Sequence, residues 1–148
     1  MQYKNGFTAK HYSVEALLAD AEREVRHSDT LERNMTKAWK DAKPTGAAAH
    51  HIVASGEPLA EGSREKLAGW GIGINDADNG VYLPNSPMAE IPNHPNALLH
   101  RPIHTEQYYI NVYARLRLAS DQDSGRLRLR RMKAEMLAGT FPFRKKVS

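Results

Sequence analysis

Cysteine is absent from this chain of 148 residues. That excludes disulfide frameworks and thiolate zinc sites, so any metal site must be built from His, Asp, Glu, Asn and water. It leaves the compartment open, because a cysteine-free chain tolerates either redox environment. Long apolar runs are missing too. No stretch approaches the roughly 20 residues needed to span a bilayer, which argues against a membrane association. The N-terminus, MQYKNGFTAKHYSVEALLADAEREV, lacks a continuous apolar segment, so no standard secretory signal is visible and the producer's cytoplasm is the expected location. Internal repeats and low-complexity tracts are also wanting.

What is present is an ordinary hydrophobic share, 41%, in a length that suits one domain or a small core motif with helical decoration. The net charge of +4 and pI near 9.4 are compatible with a polyanionic partner without requiring one. Charge is uneven. Arg115, Arg117, Arg126, Arg128, Arg130 and Arg131 face only Asp121 and Asp123 over their stretch. Such a run reads either as a solvated helix surface or as a phosphate-contacting face.

Up to about Lys43 the pattern is helical. Ser13 can cap a helix burying Val14, Leu17, Leu18, Ala21 and Val25, and Thr30 a second burying Leu31, Met35, Ala38 and Trp39. Ser28-Asp29 either separates the two or lies within one longer helix. Pro44-Thr45-Gly46 ends this region, which divides the chain into a helical segment, 1–46, and the remainder, 47–148. Gly46 to Ser55 (GAAAHHIVAS) predicts a short strand carrying His50 and His51. Ser63 can cap a brief helix to about Trp70, stopped by Gly71. Asn75 to Gly80 (NDADNG) is a dense turn signal, and Val81-Tyr82-Leu83 a second strand closed by Pro84. Asn85 to Leu99 should be an ordered loop. Arg101-Pro102 marks a helix start, with Tyr109, Val112 and Leu116 inward. A last helix from about Arg126 should bury Leu129, Met132 and Met136 and stop at Gly139.

Seven histidines punctuate this framework. Imidazole binds transition metals when neutral and takes up a proton near neutral pH. Three rings can hold one ion while a fourth takes a proton from water, which is the equipment of a metal-dependent hydrolase. Adjacent residues on a strand point to opposite faces. One of His50 and His51 can therefore reach an ion while the other faces a groove. His100 and His104 are spaced to share one helix face, but Pro102 disfavours helix at Arg101. His100 thus precedes the first turn and His104 lies within it. A zinc-protease motif would need Glu where Arg101 stands. His94, in Pro92-Asn93-His94-Pro95, is a spare that competes with His100. His11 and His27 read as surface residues.

The strings AAAHHIV (Ala47 to Val53), GIGINDADNGVYLP (Gly71 to Pro84) and HRPIHTEQYY (His100 to Tyr109) together resemble the HNH, or ββα-metal, nuclease superfamily. They are most similar to its AHH branch, with Ala49-His50-His51 in the place of the Ala-His-His run. The likeness extends to about Phe141; residues 1–46 have no part in it. It implies an α+β fold: a compact ββα-metal core of two short antiparallel strands and a metal-bearing helix, surrounded by further α-helices. It also implies roles. His50, His100 and His104 would be metal ligands, His51 the general base, and Asn79 the asparagine that braces the loop between the strands and helps orient the base.

The activity so implied is metal-dependent endonucleolytic cleavage of DNA, with little sequence preference. Arg64, Arg101 and Arg115 are candidate phosphate contacts. Of these, Arg101 stands between two proposed ligands. The cofactor would be one divalent ion; three imidazoles favour zinc or nickel, and magnesium or manganese fit if ligands are exchanged. Members of this branch are common among bacterial toxin and effector nucleases. That implies delivery by a specialised secretion system and a cognate immunity protein as partner. The competing readings are a nucleic-acid-binding protein with a structural metal and an RNase on the same scaffold.

Overall fold

Asn5 and Gly6 both take positive φ, 53° and 87°, the backbone of a tight primed turn that Asn-Gly favours. They join β1 (Tyr3–Lys4) to β2 (Phe7–Thr8) in a small antiparallel hairpin, so the chain opens on strands and not on the expected helix. The computed structural model describes residues 1–144. After the hairpin come α1 (Val14–Glu22) and α2 (His27–Trp39), then β3 (Ala47–His51), α3 (Glu61–Gly69), β4 (Gly80–Pro84), α4 (Glu106–Leu116) and α5 (Gln122–Ala138). Short 3-10 turns, Pro58–Ala60 and Ala77–Asn79, lead into α3 and β4. The fold is α+β, as the sequence implied. None of the described helices is long and apolar enough to cross a membrane.

β3 and β4 pair antiparallel, with His50 opposite Val81 and His51 opposite Gly80. One layer over this pair is α2, whose Leu31 and Met35 pack on Ala49 and half-buried Tyr82. The main core lies on the other side. There Val81 and Leu83 meet Ile103, Tyr108, Val112 and Leu116 together with Leu129, Met132 and Met136 of α5. Those last three are fully buried, as their spacing predicts. Gly80 permits the close approach of α2: a Cβ there would sit 2.5 Å from Met35 Sδ and 2.8 Å from Leu31 Cδ1.

Helix boundaries follow local capping chemistry. Ser13 caps α1 through the Ala16 N–H, as expected, but Val14 and Val25 stand exposed. α2 begins at His27, ahead of Thr30, without a side-chain cap. α3 begins at Glu61, because Pro58 and the Glu57 carboxylate start a 3-10 turn that feeds it; Ser63 is buried inside the helix. α4 begins at Glu106, where the Thr105 hydroxyl accepts from the Tyr108 N–H, so Pro102 belongs to the preceding turn. α5 begins at Gln122, fixed by a reciprocal capping box of Asp121 and Ser124.

Two arginines of α5, Arg126 and Arg130, belong to neither sequence reading. Arg126 contacts Asp76 and Asp78, and Arg130 contacts Asp78, at 2.8 Å each. Both carboxylates are sealed from solvent. Asp76 also accepts from the N–H and hydroxyl of Thr8. Hairpin, 76–79 turn and α5 are therefore tied at one buried point.

Candidate metal centre and groove

Alternation along β3 sends His50 and His51 to opposite sides. His50 is buried, and its Nε2 lies 2.7 Å from the Tyr108 hydroxyl, which donates to the Ile52 carbonyl at 2.6 Å. A carbonyl only accepts, so the single hydroxyl proton is committed there. Tyr108 must then accept from His50 Nε2–H, leaving Nδ1 with the lone pair. The ring centroids of His100 and His104 lie 5.2 Å from that of His50 and 4.8 Å from each other. One nitrogen from each of the three can be chosen so that all lie within 4.8 Å of one another.

The loop before α4 delivers the second pair. The His100 N–H donates to the Pro84 carbonyl at 2.9 Å, fastening the loop to the end of β4, and the His104 N–H closes a turn onto the Arg101 carbonyl at 3.2 Å. Ile103 anchors that turn in the core. Both histidines thus precede α4, and His104 lies outside its first turn. His104 Nδ1 also faces the Arg101 carbonyl at 3.2 Å; a carbonyl only accepts, so Nδ1 donates to it and Nε2 is the nitrogen left for other partners.

Burial, and then the neighbouring imidazoles His100 and His104, hold His50 well below the ordinary histidine range. Burial, with His104 and Arg101 next, lowers His100 to about 4. Both are therefore neutral at pH 7, the state in which imidazole ligates a metal. Three imidazoles whose nitrogens can approach one another this closely are a donor set that fits a transition metal ion.

His51 faces α2. Its Nε2 is 2.7 Å from Asn75 Oδ1, and burial lowers it to about 4 although the Asn75 bond raises it. An open groove of about 380 Å³ exposes His51 beside His50, His100 and His104, walled by Arg26, His27 and Ser28. His51 and the His50, His100, His104 cluster so line one solvent-reachable cleft.

The other expected residues are distributed as follows. Asn79 is fully buried; its side chain accepts from the Val53 N–H and donates to the Val53 and Ile74 carbonyls. It staples the backbone just past His51, and the ring itself is held by Asn75. Arg64 donates to the Ala54 and Glu57 carbonyls, shaping the loop after β3. Arg115 forms a bidentate pair with Glu135 and lies over the Phe141 ring. Arg101 is exposed. His94 lines a separate cavity with Trp39, Tyr82 and Lys133. His11 is exposed as expected, but His27 is buried against Asn75.

Sequence reasoning missed Asn75, His27 and Tyr108. Tyr108 follows His104 by one helical turn, a spacing that could have flagged it. Asn75 was absorbed into a turn signal, and nothing local marks His27. Comparison with known proteins matches residues 31–138 to the AHH family, a nuclease family of the HNH/ENDO VII superfamily with conserved AHH. No curated protein and no solved structure matches the chain. The family match spans well over half of the sequence, and the chain belongs to this nuclease family.

Proposed function

We propose that this AHH-family nuclease is a metal-dependent endonuclease that hydrolyses DNA phosphodiester bonds with His51 as general base. The observation that carries the reading is one groove that presents His51 next to the convergent His50, His100 and His104. With Nε2 engaged by Asn75, His51 offers Nδ1 to a water molecule and takes its proton as the oxygen attacks phosphorus. Neutrality at pH 7 keeps that nitrogen free. His50, His100 and His104 would hold one divalent ion, zinc or nickel by donor type. Such an ion would stabilise charge developing on the phosphate and the leaving oxygen. Arg101, exposed between two of the ligands, would contact a backbone phosphate, and the net charge of +4 favours a polyanion. Backbone contacts of this kind carry little sequence information.

Plasmid cleavage across a panel of divalent metals, with chelator and His51→Ala controls, tests the reading. Wild type should nick or linearise the plasmid, and His51→Ala should lose about 10²–10⁴-fold in rate while still taking up metal. Intact plasmid with every metal would overturn the enzymatic reading. Preferential cleavage of a matched RNA would overturn the DNA assignment. On family association alone, the proposal extends to an antibacterial effector domain countered by a cognate immunity protein. Bacterial expression that is toxic for wild type and harmless for His51→Ala is the expected result.

A further inference from the structure

Behind His51 runs a chain of hydrogen bonds whose donors can be assigned from its far end. His27 Nε2 lies 2.9 Å from the Arg23 carbonyl. The carbonyl only accepts, so Nε2 carries hydrogen, and Nδ1 is the ring nitrogen left to accept. Asn75 Nδ2 faces that Nδ1 at 2.9 Å. The amide turned the other way would set its oxygen against the imidazole lone pair, so His27 fixes how Asn75 is oriented. Asn75 Oδ1 then lies 2.7 Å from His51 Nε2 and can only accept. His51 is thereby held as the Nε2–H tautomer, with its Nδ1 lone pair free.

The relay is also mechanically fixed. His27 and Asn75 are buried, and the Asn75 carbonyl accepts from the buried Asn34 side chain of α2 at 2.7 Å. His27 meets His51 edge to face, centroids 6.4 Å apart. We infer that Asn75 and His27 are positioning residues that set the tautomer and ring plane of His51. The inference rests on the base assignment above. It brings α2 into the catalytic apparatus through a residue that lies before the span of the family match. A base oriented by a third group is a recurring arrangement in hydrolases, and its loss misdirects the lone pair without removing the base.

The test compares Asn75→Ala, Asn75→Asp and His27→Phe with wild type and His51→Ala, all loaded with zinc or whichever metal of the panel supports cleavage. His27→Phe keeps the ring volume, and it carries the test alone if Asn75→Ala does not fold. Asn75→Ala and His27→Phe should lower kcat by roughly 10- to 100-fold, with KM and calorimetric zinc affinity unchanged. Asn75→Asp keeps an oxygen for His51 Nε2 but sets its other oxygen against His27 Nδ1, so it should recover only part of what Asn75→Ala loses. In nitrogen-15 spectra of histidine-labelled protein, wild-type His51 should show a slowly exchanging Nε2 proton that is lost in Asn75→Ala and His27→Phe. Folded variants with wild-type kcat and an unchanged His51 Nε2 signal would overturn the inference. If His51→Ala itself cleaves like wild type, the base assignment falls. The nitrogen-15 signal then decides separately whether the relay sets the tautomer.

Discussion

The hydroxyl of Tyr108 is the single atom on which the geometry of His50 turns. It is buried, and burial together with Tyr109 pushes its ionisation well above the usual tyrosine range, so it remains a proton donor. Its proton goes to Ile52 and its oxygen receives His50 Nε2–H. Tyr108→Phe keeps the ring and leaves both of those groups without a partner. An orphaned buried donor or acceptor costs about 1–3 kcal/mol, and loss of a ligand's supporting hydrogen bond typically weakens metal affinity about 10–100-fold. Calorimetric titration with zinc and urea unfolding of the metal-free protein should show both losses. Unchanged zinc affinity would mean that His50 does not depend on this bond to present its nitrogen.

Among the elements, the N-terminal hairpin is small but tightly placed. Gly6 has φ of 87°, and a Cβ on it would stand 2.0 Å from the Asn34 carbonyl oxygen of α2. Its own carbonyl accepts from the Ala77 N–H at 2.9 Å. Gly6→Ala combines an unfavourable backbone with a clash against main chain that cannot swing aside. A loss on the order of 2–4 kcal/mol is expected in urea unfolding, and a change within about 0.5 kcal/mol would show that the hairpin can shift freely. The hairpin also shows where sequence reading ran out. Asn5-Gly6 is a strong turn signal, but two-residue strands have no alternation to read. The His50-His51 strand, β4 and the buried face of α5 were legible because their apolar patterns are local and long enough. The starts of α3, α4 and α5 differ from expectation because Ser63, Pro102 and Arg126 are conspicuous local signals, whereas the chain enters these helices through the Glu57-capped 3-10 turn, Thr105 and Asp121. His27 and Asn75 were illegible for a different reason: their partners lie 48 and 24 residues away, and only the packing of α2 over β3 brings them together.

For the molecule as a whole, gathering neutral histidines in one cleft couples folding to pH. His51 and His100 are lowered to about 4 from an ordinary 6.5, and His50 lies well below 6.5. Burial is the leading cause for each, with neighbouring imidazoles adding to it. Above about pH 6.5 these rings are neutral in both folded and unfolded chains and contribute no pH dependence. As pH falls from there towards 4, the unfolded chain binds protons that the folded cleft refuses, so stability declines. One unit of displacement is worth about 1.4 kcal/mol; the more deeply enclosed His50 and His51 should account for most of a loss of a few kcal/mol, and partly exposed His100 adds less because solvent screens it. Urea midpoints of chelator-treated protein between about pH 7.5 and 4.5 should fall steadily once below about 6.5. Saturating zinc should raise the midpoint at pH 7.5 and lose that advantage on acidification, because protons and metal compete for the same lone pairs. His100→Ala should flatten the metal-free profile by removing one of the refused protons. A midpoint that holds constant down to pH 4.5 would mean that the cleft accepts protons as readily as the unfolded chain, and the neutral ligand set would have to be abandoned.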